Sequence, residues 1–410
     1  MNGQTPPSGG WFNRVVLGAG LTSFLADVCY EMAAAVLPGF LGVLQLPAAL
    51  LIGVIEGTAD ATANFAKLTT GWYGDRLGRR KPFVVFGYAL TGVTQALFAL
   101  AGNWPLILVA KVLGWLGKGI RGPLRNAILA DAVAPADRGK AFGLHRAGDT
   151  LGAVLGPLLA FAILDLVPAD FFADASGPYR LIFALTLIPG IGSVLAFTFL
   201  IREQFREPNP EMKFWGSLRA MPVRYRRFLV GVGVFGLGDF SVGLLVVEAI
   251  RLLTPVEGKV AAAALGPLLY AWRNLSQAVT AFPIGAWADR VGARRPLLLG
   301  YLLGAGVMVA FALVAAEGSA GRPLLFVLFA LTGVYLAVEE ALEGVLTAEL
   351  VPDARLRGTA YGILGTVNGV GDFFSSLAVG LLMQRVSPAA GFLYAAVLML
   401  LGTVLLARIR

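Results

Sequence analysis

The sequence predicts an all-α integral membrane protein: twelve transmembrane helices in two six-helix pseudo-repeats. Three observations carry this. Of 410 residues, 57% are hydrophobic and 14% charged, and the mean hydropathy is +0.75. A soluble domain carries about 25% charged residues, so polar side chains are too few to cover this chain and lipid must do so. Apolar runs fall near 14–42, 47–74, 83–102, 105–131, 139–165, 178–201, 227–253, 260–287, 297–316, 323–350, 358–384 and 388–408, and a span needs about 20 such residues. Finally, GWYGDRLGRRKP (Gly71–Pro82) is echoed by GAWADRVGARRP (Gly285–Pro296), each between two apolar runs.

The repeat extends beyond these loops. AILADAVAPADRGKAFG (127–143) answers GVLTAELVPDARLRGTAYG (344–362), matching Asp131 to Glu349 and Arg138 to Arg357 with one residue inserted. Asp27 precedes the first loop by nearly the distance at which Asp239 precedes the second. Parallel repeats of this kind mark secondary transporters.

Taken in order, the spans carry ionisable residues where lipid disfavours them, which makes each a functional candidate. The polar, Gly/Pro-rich first eleven residues lack the charged region and cleavage site of a signal peptide, so the first run is expected to stay as a span. It carries Asp27 and Glu31, four apart and on one face. The second carries Glu56 and Asp60, with Asn64 extending the stripe. The fourth carries Lys111, Lys118, Arg121 and Arg125 on another stripe, and the fifth His145, Arg146 and Asp149. Asp239, Arg273, the trio Glu339, Glu340 and Glu343, and Asp372 fall in spans seven, eight, ten and eleven. Lys67, Lys111 and Glu349, close to span ends, read as snorkelling or solvated. The offset that matches Asp131 to Glu349 places Arg121 on Glu339 and Arg125 on Glu343, so one half is basic where the other is acidic.

The loops set orientation. Arg76, Arg79, Arg80 and Lys81, then Arg138 and Lys140, the 202–226 stretch, Arg290, Arg294 and Arg295, Arg355 and Arg357, and Arg408 and Arg410 all fall on one side. That side is expected to be cytoplasmic, with both termini there and the protein in the plasma (inner) membrane. The 202–226 stretch, with Pro208, Pro210 and Pro222, divides an N-terminal bundle (1–201) from a C-terminal one (227–410). Within it, Met212–Arg219 reads as a short interfacial helix. The net charge of +8 lies in these loops and needs no nucleic acid. One cysteine, Cys29, allows no intrachain disulfide. No Walker loop, dinucleotide fingerprint, nucleophile motif or Cys/His metal spacing appears, so neither an enzyme, a cofactor nor a resident metal is expected.

Twelve spans in two sixes, a basic central connection and GxxxDRxGRRK between spans two and three resemble the major facilitator superfamily. The likeness covers essentially the whole chain; in the second loop Ala293 stands where the first has an arginine. The resemblance implies a cytoplasmic gate built from Gly71, Asp75, Arg76, Gly78 and Arg79, with Asp75 facing Arg357 and Arg76 or Arg79 meeting Asp131. Arg138, Asp289, Arg290 and Glu349 are the corresponding positions. It also implies that spans one, four, seven and ten line a central cavity. That sets Lys118, Arg121 and Arg125 near Glu339, Glu340 and Glu343, with Asp27, Glu31, Glu56, Asp60 and Asp239 close by. GAVLGP in span five, with Gly152, Gly156 and Pro157, resembles the Gly-Pro motif of the antiporter branch. The acids of spans one and two are candidate proton carriers, and His145 with Asp149 a possible proton relay.

The expected function is secondary active transport of a small solute by alternating access, as proton-coupled efflux (antiport) of a cationic or amphipathic molecule. A metal-cation or metal-chelate exporter of the same fold is the alternative, and a non-transporting receptor or scaffold the alternative of another class. Expected partners are a small-molecule or ion substrate, protons and the lipid bilayer, for a protein acting as a monomer.

Overall fold

The computed structural model describes residues 12–76, 79–133, 138–167, 171–203, 221–351 and 354–408. Within them, the side chains of 68, 71–76, 130, 138–140, 143, 289 and 354–359 lie outside the description, and the expected helix at Met212–Arg219 falls outside these residues altogether. The helices are α1 (Arg14–Val43), α2 (Ala48–Arg76), α3 (Lys81–Leu97, continued by a 3-10 turn, Phe98–Leu100), α4 (Trp104–Asp131) and α5 (Arg138–Leu166). The sixth crossing is made by α6 (Gly177–Leu185) and α7 (Leu187–Leu200), the seventh by α8 (Val223–Gly236) and α9 (Val242–Glu257). Then follow α10 (Lys259–Val291), α11 (Arg294–Glu317), α12 (Arg322–Leu350), α13 (Ala354–Arg385) and α14 (Pro388–Ala407).

Eight crossings among the described residues are long and apolar enough to span on those grounds alone. The other four are α2, α4, the α8–α9 pair and α10, which carry Glu56 and Asp60, the basic stripe, Asp239 and Arg273. Polar residues at this depth are tolerated where they face protein rather than lipid.

The packing repeats. In the first half α1 lies on α5 and α7, α3 on α4 and α7, and α2 on α4. In the second half α8 lies on α13 and α14, α11 on α12 and α14, and α10 on α12. The halves meet mainly through α2 on α13 and α5 on α10, two pairings that the repeat exchanges.

Small residues permit the close approaches. A Cβ at Gly53 would strike the Ser376 carbonyl, and one at Gly57 the Phe373 carbonyl, so α2 and α13 touch backbone to backbone. Gly148, Gly152 and Gly156, one helical turn apart, seat α5 against Gly20, Phe24 and Val28 of α1 in the same way. Close contact between small residues supplies packing that lipid-exposed helices otherwise lack. At the end away from the 71–82 loop, Asp174 accepts from Ser176 N (2.7 Å) and Oγ (2.5 Å) just before α6. Those hydrogen bonds hold its carboxyl below the usual carboxylate range.

Candidate functional site

The seventh crossing breaks at 237–241, in the sequence LGDFS, and the break positions the site. Ser375 of α13 donates to the Asp239 carbonyl, and Ser376 Oγ accepts from Ser241 N at 3.0 Å. Irregular backbone at membrane depth is tolerated where it is buried in protein or lines a cavity, and here both hold. A cavity of about 340 Å³ lies beside the break, between the halves. Seven carboxylates line it: Glu31, Glu56, Asp60, Asp239, Glu339, Glu340 and Asp372. Lys111, Lys118 and Arg273 are its cations, and Tyr30, Trp115, Phe240 and Tyr270 its aromatic walls.

Some of this charge is spoken for. Lys111 Nζ stands 2.8 Å from Glu56 and its side chain is 0% exposed. This corrects its reading as a snorkelling residue near a span end: α4 begins at Trp104, so Lys111 sits two turns in and must pair. Glu56, on a span with no basic residue of its own at that depth, takes this one from α4. Asp60 accepts from Trp115 Nε1 at 2.7 Å. Lys118 Nζ lies 4.0 Å from the Tyr30 ring centroid and 5.1 Å from that of Trp115, in cation–π range.

Other groups are under-bonded. Tyr270 and Glu31 line the same cavity, and Glu31 Oε2 is buried without a hydrogen-bond partner. Tyr335 donates to Asp239 at 3.0 Å. Glu339 lines the same cavity as Asp239, and its buried Oε2 has no hydrogen-bond partner. Glu343 is well held, by the Tyr301 hydroxyl and by Asn368 Nδ2 at 2.7 Å.

The basic stripe does not cross to the acidic one. No ion pair joins α4 to α12 among the described residues. Arg121 lies 4.2 Å over the Tyr88 ring, and Arg125 donates to Ser23 Oγ and the Tyr88 hydroxyl at 3.4 Å each, all within the first half. Asp27 is buried on α1 beside Gly152. Asp27, Arg121, Arg125 and Glu343 therefore stand behind the cavity wall, while the other proposed cavity residues line it. Among the described residues, the ion pair that bridges the halves is Arg146–Glu340 at 2.8 Å.

His145 and Asp149 do come together. Ser23 gives its one proton to Asp149, so the 3.0 Å contact between Ser23 Oγ and His145 Nε2 has the histidine as donor. Nδ1 lies 3.7 Å from Asp149.

At the end bearing the 71–82 loop, Arg80 Nη1 holds Asp131 at 3.0 Å. Arg76 or Arg79 was expected there; Arg79 is exposed, and the side chain of Arg76 lies outside the described residues. Glu203 accepts from Arg80 N (2.6 Å) and Lys81 N (3.0 Å), capping α3. Lys81 Nζ returns to the Thr198 and Ile201 carbonyls, capping α7. Anions at a helix start and cations at a helix end both suit the helix dipole. Arg290 and Glu349 are exposed. The remaining proposed gate residues, Gly71, Asp75, Arg76, Gly78, Arg138, Asp289 and Arg357, have side chains outside the described residues or, for Gly78, lie outside them altogether.

Sequence reasoning left Asp372 out of the cavity set and passed over Asn368, Glu203, the pairing of Arg80 and the aromatic walls. Asp372 was legible as a mid-span charge, and Asn368 precedes it by one helical turn on the same face. Among the described residues no three His, Cys, Asp or Glu side chains converge as metal ligands, so the carboxylates line a chamber rather than close on one ion.

Comparison with known proteins agrees with this architecture. The Major Facilitator Superfamily model matches residues 19–256 and 258–410. An uncharacterized MFS-type transporter of Methanocaldococcus jannaschii is 30% identical, covering 94% of this chain and 92% of its own. The multidrug resistance protein MdtH of Cronobacter sakazakii is 26% identical over 77% of this chain and 73% of its own. A crystal structure of the nucleoside transporter NupG superposes with a TM-score of 0.76 at 12% identity, over 96% of this chain and 98% of that one; it shows the fold alone. The chain belongs to the Major Facilitator Superfamily and is a transporter, not an enzyme.

Proposed function

We propose that this transporter exports small organic cations in exchange for protons. The observation that carries the reading is the cavity: seven carboxylates against three cations, with aromatic faces between them. A volume of about 340 Å³ lies at the lower end of small-molecule sites, roughly 300–1,000 Å³. Glu31, with its unpartnered oxygen, and the ring of Tyr270 form the wall we assign to the cation. Carboxylates and aromatic faces both favour a weakly hydrated positive charge. The name of the MdtH relative, a multidrug resistance protein, supports efflux.

In this reading residues 1–201 and 227–410 rock against each other, joined by a cytoplasmic 202–226 connection, in the inner membrane. The outer seal is α2 on α13, together with Gly243 of α9 on Ile52. The inner seal forms around the 71–82 loop, steadied by Arg80–Asp131 and Glu203. Each proton entering down a membrane potential supplies about 2.3 kcal/mol per 100 mV.

The test is flux into proteoliposomes. With the lumen acid, ethidium is expected to accumulate faster than without a gradient, and benzoate not to accumulate. Benzoate moving as fast as ethidium, or ethidium flux indifferent to the gradient, overturns the reading.

A further inference from the structure

Lys118 of α4 stands in an acidic chamber and holds no acid. Among the described residues its ammonium makes no ion pair and no hydrogen bond, although seven carboxylates line the cavity with it. It lies on rings instead, 4.0 Å from the Tyr30 centroid and 5.1 Å from that of Trp115. The chamber's other cations are tied down. Lys111 also rides on Trp115, at 3.8 Å, but it is paired with Glu56 at 2.8 Å and 0% exposed. Arg273 donates through Nη1 to Asn274 at 2.6 Å. Among the described residues, Lys118 is the cation of the chamber whose charge rests on ring faces alone.

The rings form a rigid corner. Tyr30 of α1 and Trp115 of α4 meet edge to face, with centroids 5.7 Å apart and planes at 77°. Both are buried, and Trp115 Nε1 donates to Asp60 at 2.7 Å, which fixes the indole. Such a corner suits an alkylammonium charge, whether it belongs to a lysine or to a ligand. The lysine is anchored at its base and not at its tip. A Cβ on the neighbouring Gly119 would strike the Ala63 carbonyl, so α4 is pressed on α2 at this turn. The Lys118 side chain is only half-buried, and its flexible four-carbon stem lets the ammonium swing while the backbone stays. An ammonium that leaves the ring remains among carboxylates.

Glu31 follows Tyr30 in α1, lines the same cavity and has a buried oxygen without a hydrogen-bond partner. The acid assigned to the cargo and the ring held by the lysine are thus neighbours on one helix and open on one chamber.

We infer that Lys118 is a resident stand-in for the cargo: its ammonium fills the Tyr30–Trp115 corner of the empty carrier, and an alkylammonium cargo seated at Glu31 takes that corner by displacing it. The resident weakens binding, because the cargo replaces a contact rather than adding one. It also sets specificity, because a ring face favours a weakly hydrated charge carried on carbon over a strongly hydrated metal cation. No covalent bond is made or broken. The inference rests on the organic-cation reading above and deepens it.

A double-mutant cycle on the full chain in detergent tests it, with tetraethylammonium binding read by calorimetry. Lys118→Met is expected to bind about fivefold tighter or more, the scale of one cation–π contact. Loss of a structural lysine would weaken binding instead. Tyr30→Leu alone is expected to change affinity by less than about twofold, since it takes the ring from cargo and lysine alike, and in the Lys118→Met background it is expected to abolish most of the gain. A gain kept in full in the double variant marks the removal of a charge from the chamber and overturns the inference. Unchanged or weaker binding in Lys118→Met overturns it too, and Lys118→Gln decides the matter if Lys118→Met does not fold. A wild type that accumulates ethidium under the gradient while Lys118→Met binds no tighter sinks this inference and leaves the organic-cation reading standing. No ethidium flux, with no tetraethylammonium binding in any of these proteins, removes both.

Discussion

The stripes of α4 and α12 occupy the same place in the two halves and carry opposite charge. With Asp131 laid on Glu349, Lys111, Lys118, Arg121 and Arg125 fall on Phe329, Leu336, Glu339 and Glu343. The repeat has kept the scaffold and inverted the chemistry. On both sides a tyrosine from the neighbouring helix meets the last member: Tyr88 accepts from Arg125, and Tyr301 donates to Glu343. A phenol hydroxyl can do either, so the same kind of residue serves a cation in one half and an anion in the other. The difference teaches where the work is divided. The α4 cations make their contacts inside their own half, on rings, on Ser23 and on Glu56, although Arg121 Nη1 is buried without a hydrogen-bond partner. Of the α12 acids, Glu339 faces the cavity with one oxygen unpartnered, whereas Glu343 is held behind the wall by Tyr301 and Asn368. Of the chamber's seven carboxylates α12 supplies two, Glu339 and Glu340, and of its three cations α4 supplies two, Lys111 and Lys118.

The largest way to break the comparison is at its far end. Lys111 is buried and paired with Glu56, whereas its counterpart Phe329 packs against Phe311 with ring centroids 6.0 Å apart. Lys111→Met strands a carboxylate in the interior, and removing one partner of a buried pair costs about 3–5 kcal/mol. Adding Glu56→Gln removes the stranded charge, and most of the loss is expected to return, because apolar replacement of a whole buried pair is often neutral. Thermal unfolding of the purified protein in detergent reads both. A single variant as stable as the wild type would mean that the pair is solvated and that the halves differ less than the structure implies.

A middle-sized test sharpens the tyrosine pairing. Tyr301→Phe takes a donor from the buried Glu343, which keeps only Asn368 Nδ2 at 2.7 Å; leaving a buried acceptor short costs about 1–3 kcal/mol. Tyr88→Phe removes a 3.4 Å contact from an arginine that retains Ser23 and Asn126, and keeps the ring under Arg121. Its cost is expected to stay below about 0.5 kcal/mol, the range of substitutions that break no essential partner. Equal losses in the two variants would undo the claim that the second half relies more on its hydroxyl.

The fold was legible in the repeat because loop motifs and apolar runs depend on composition and spacing alone. The site was legible only in outline. Periodicity put Arg121 and Arg125 on one face, but it gives relative phase, not the direction in which the face points; here it points at Tyr88 and α1. Arg80 rather than Arg79 meets Asp131 because α3 starts at Lys81, and a one-residue difference at a helix start changes which side chain turns inward. Lys111 was misplaced for the same kind of reason, since the start of α4 fixes its depth. The break of the seventh crossing was written in Gly236, Gly238 and Ser241 around Asp239, but an apolar run hides an interruption that hydropathy alone does not see.

The smallest expected effect concerns the one described ion pair that joins the halves. Arg146 and Glu340 have side chains 66% and 50% exposed, and exposed pairs contribute about 0–1 kcal/mol. Arg146→Gln is therefore expected to leave the unfolding temperature nearly unchanged. Its consequence lies in the balance between states. A pair that exists only while α5 and α12 face each other biases the carrier toward that arrangement, and even about 1 kcal/mol shifts a two-state equilibrium by roughly fivefold. A spin-label pair on the α5 and α12 ends should report a broader or shifted distance distribution in Arg146→Gln. Raising salt should move the wild type the same way, since exposed charges are screened. If neither change alters the distances, the pair forms in every state, and the division between the halves rests on the contrast between Arg125 and the tyrosine-held Glu343.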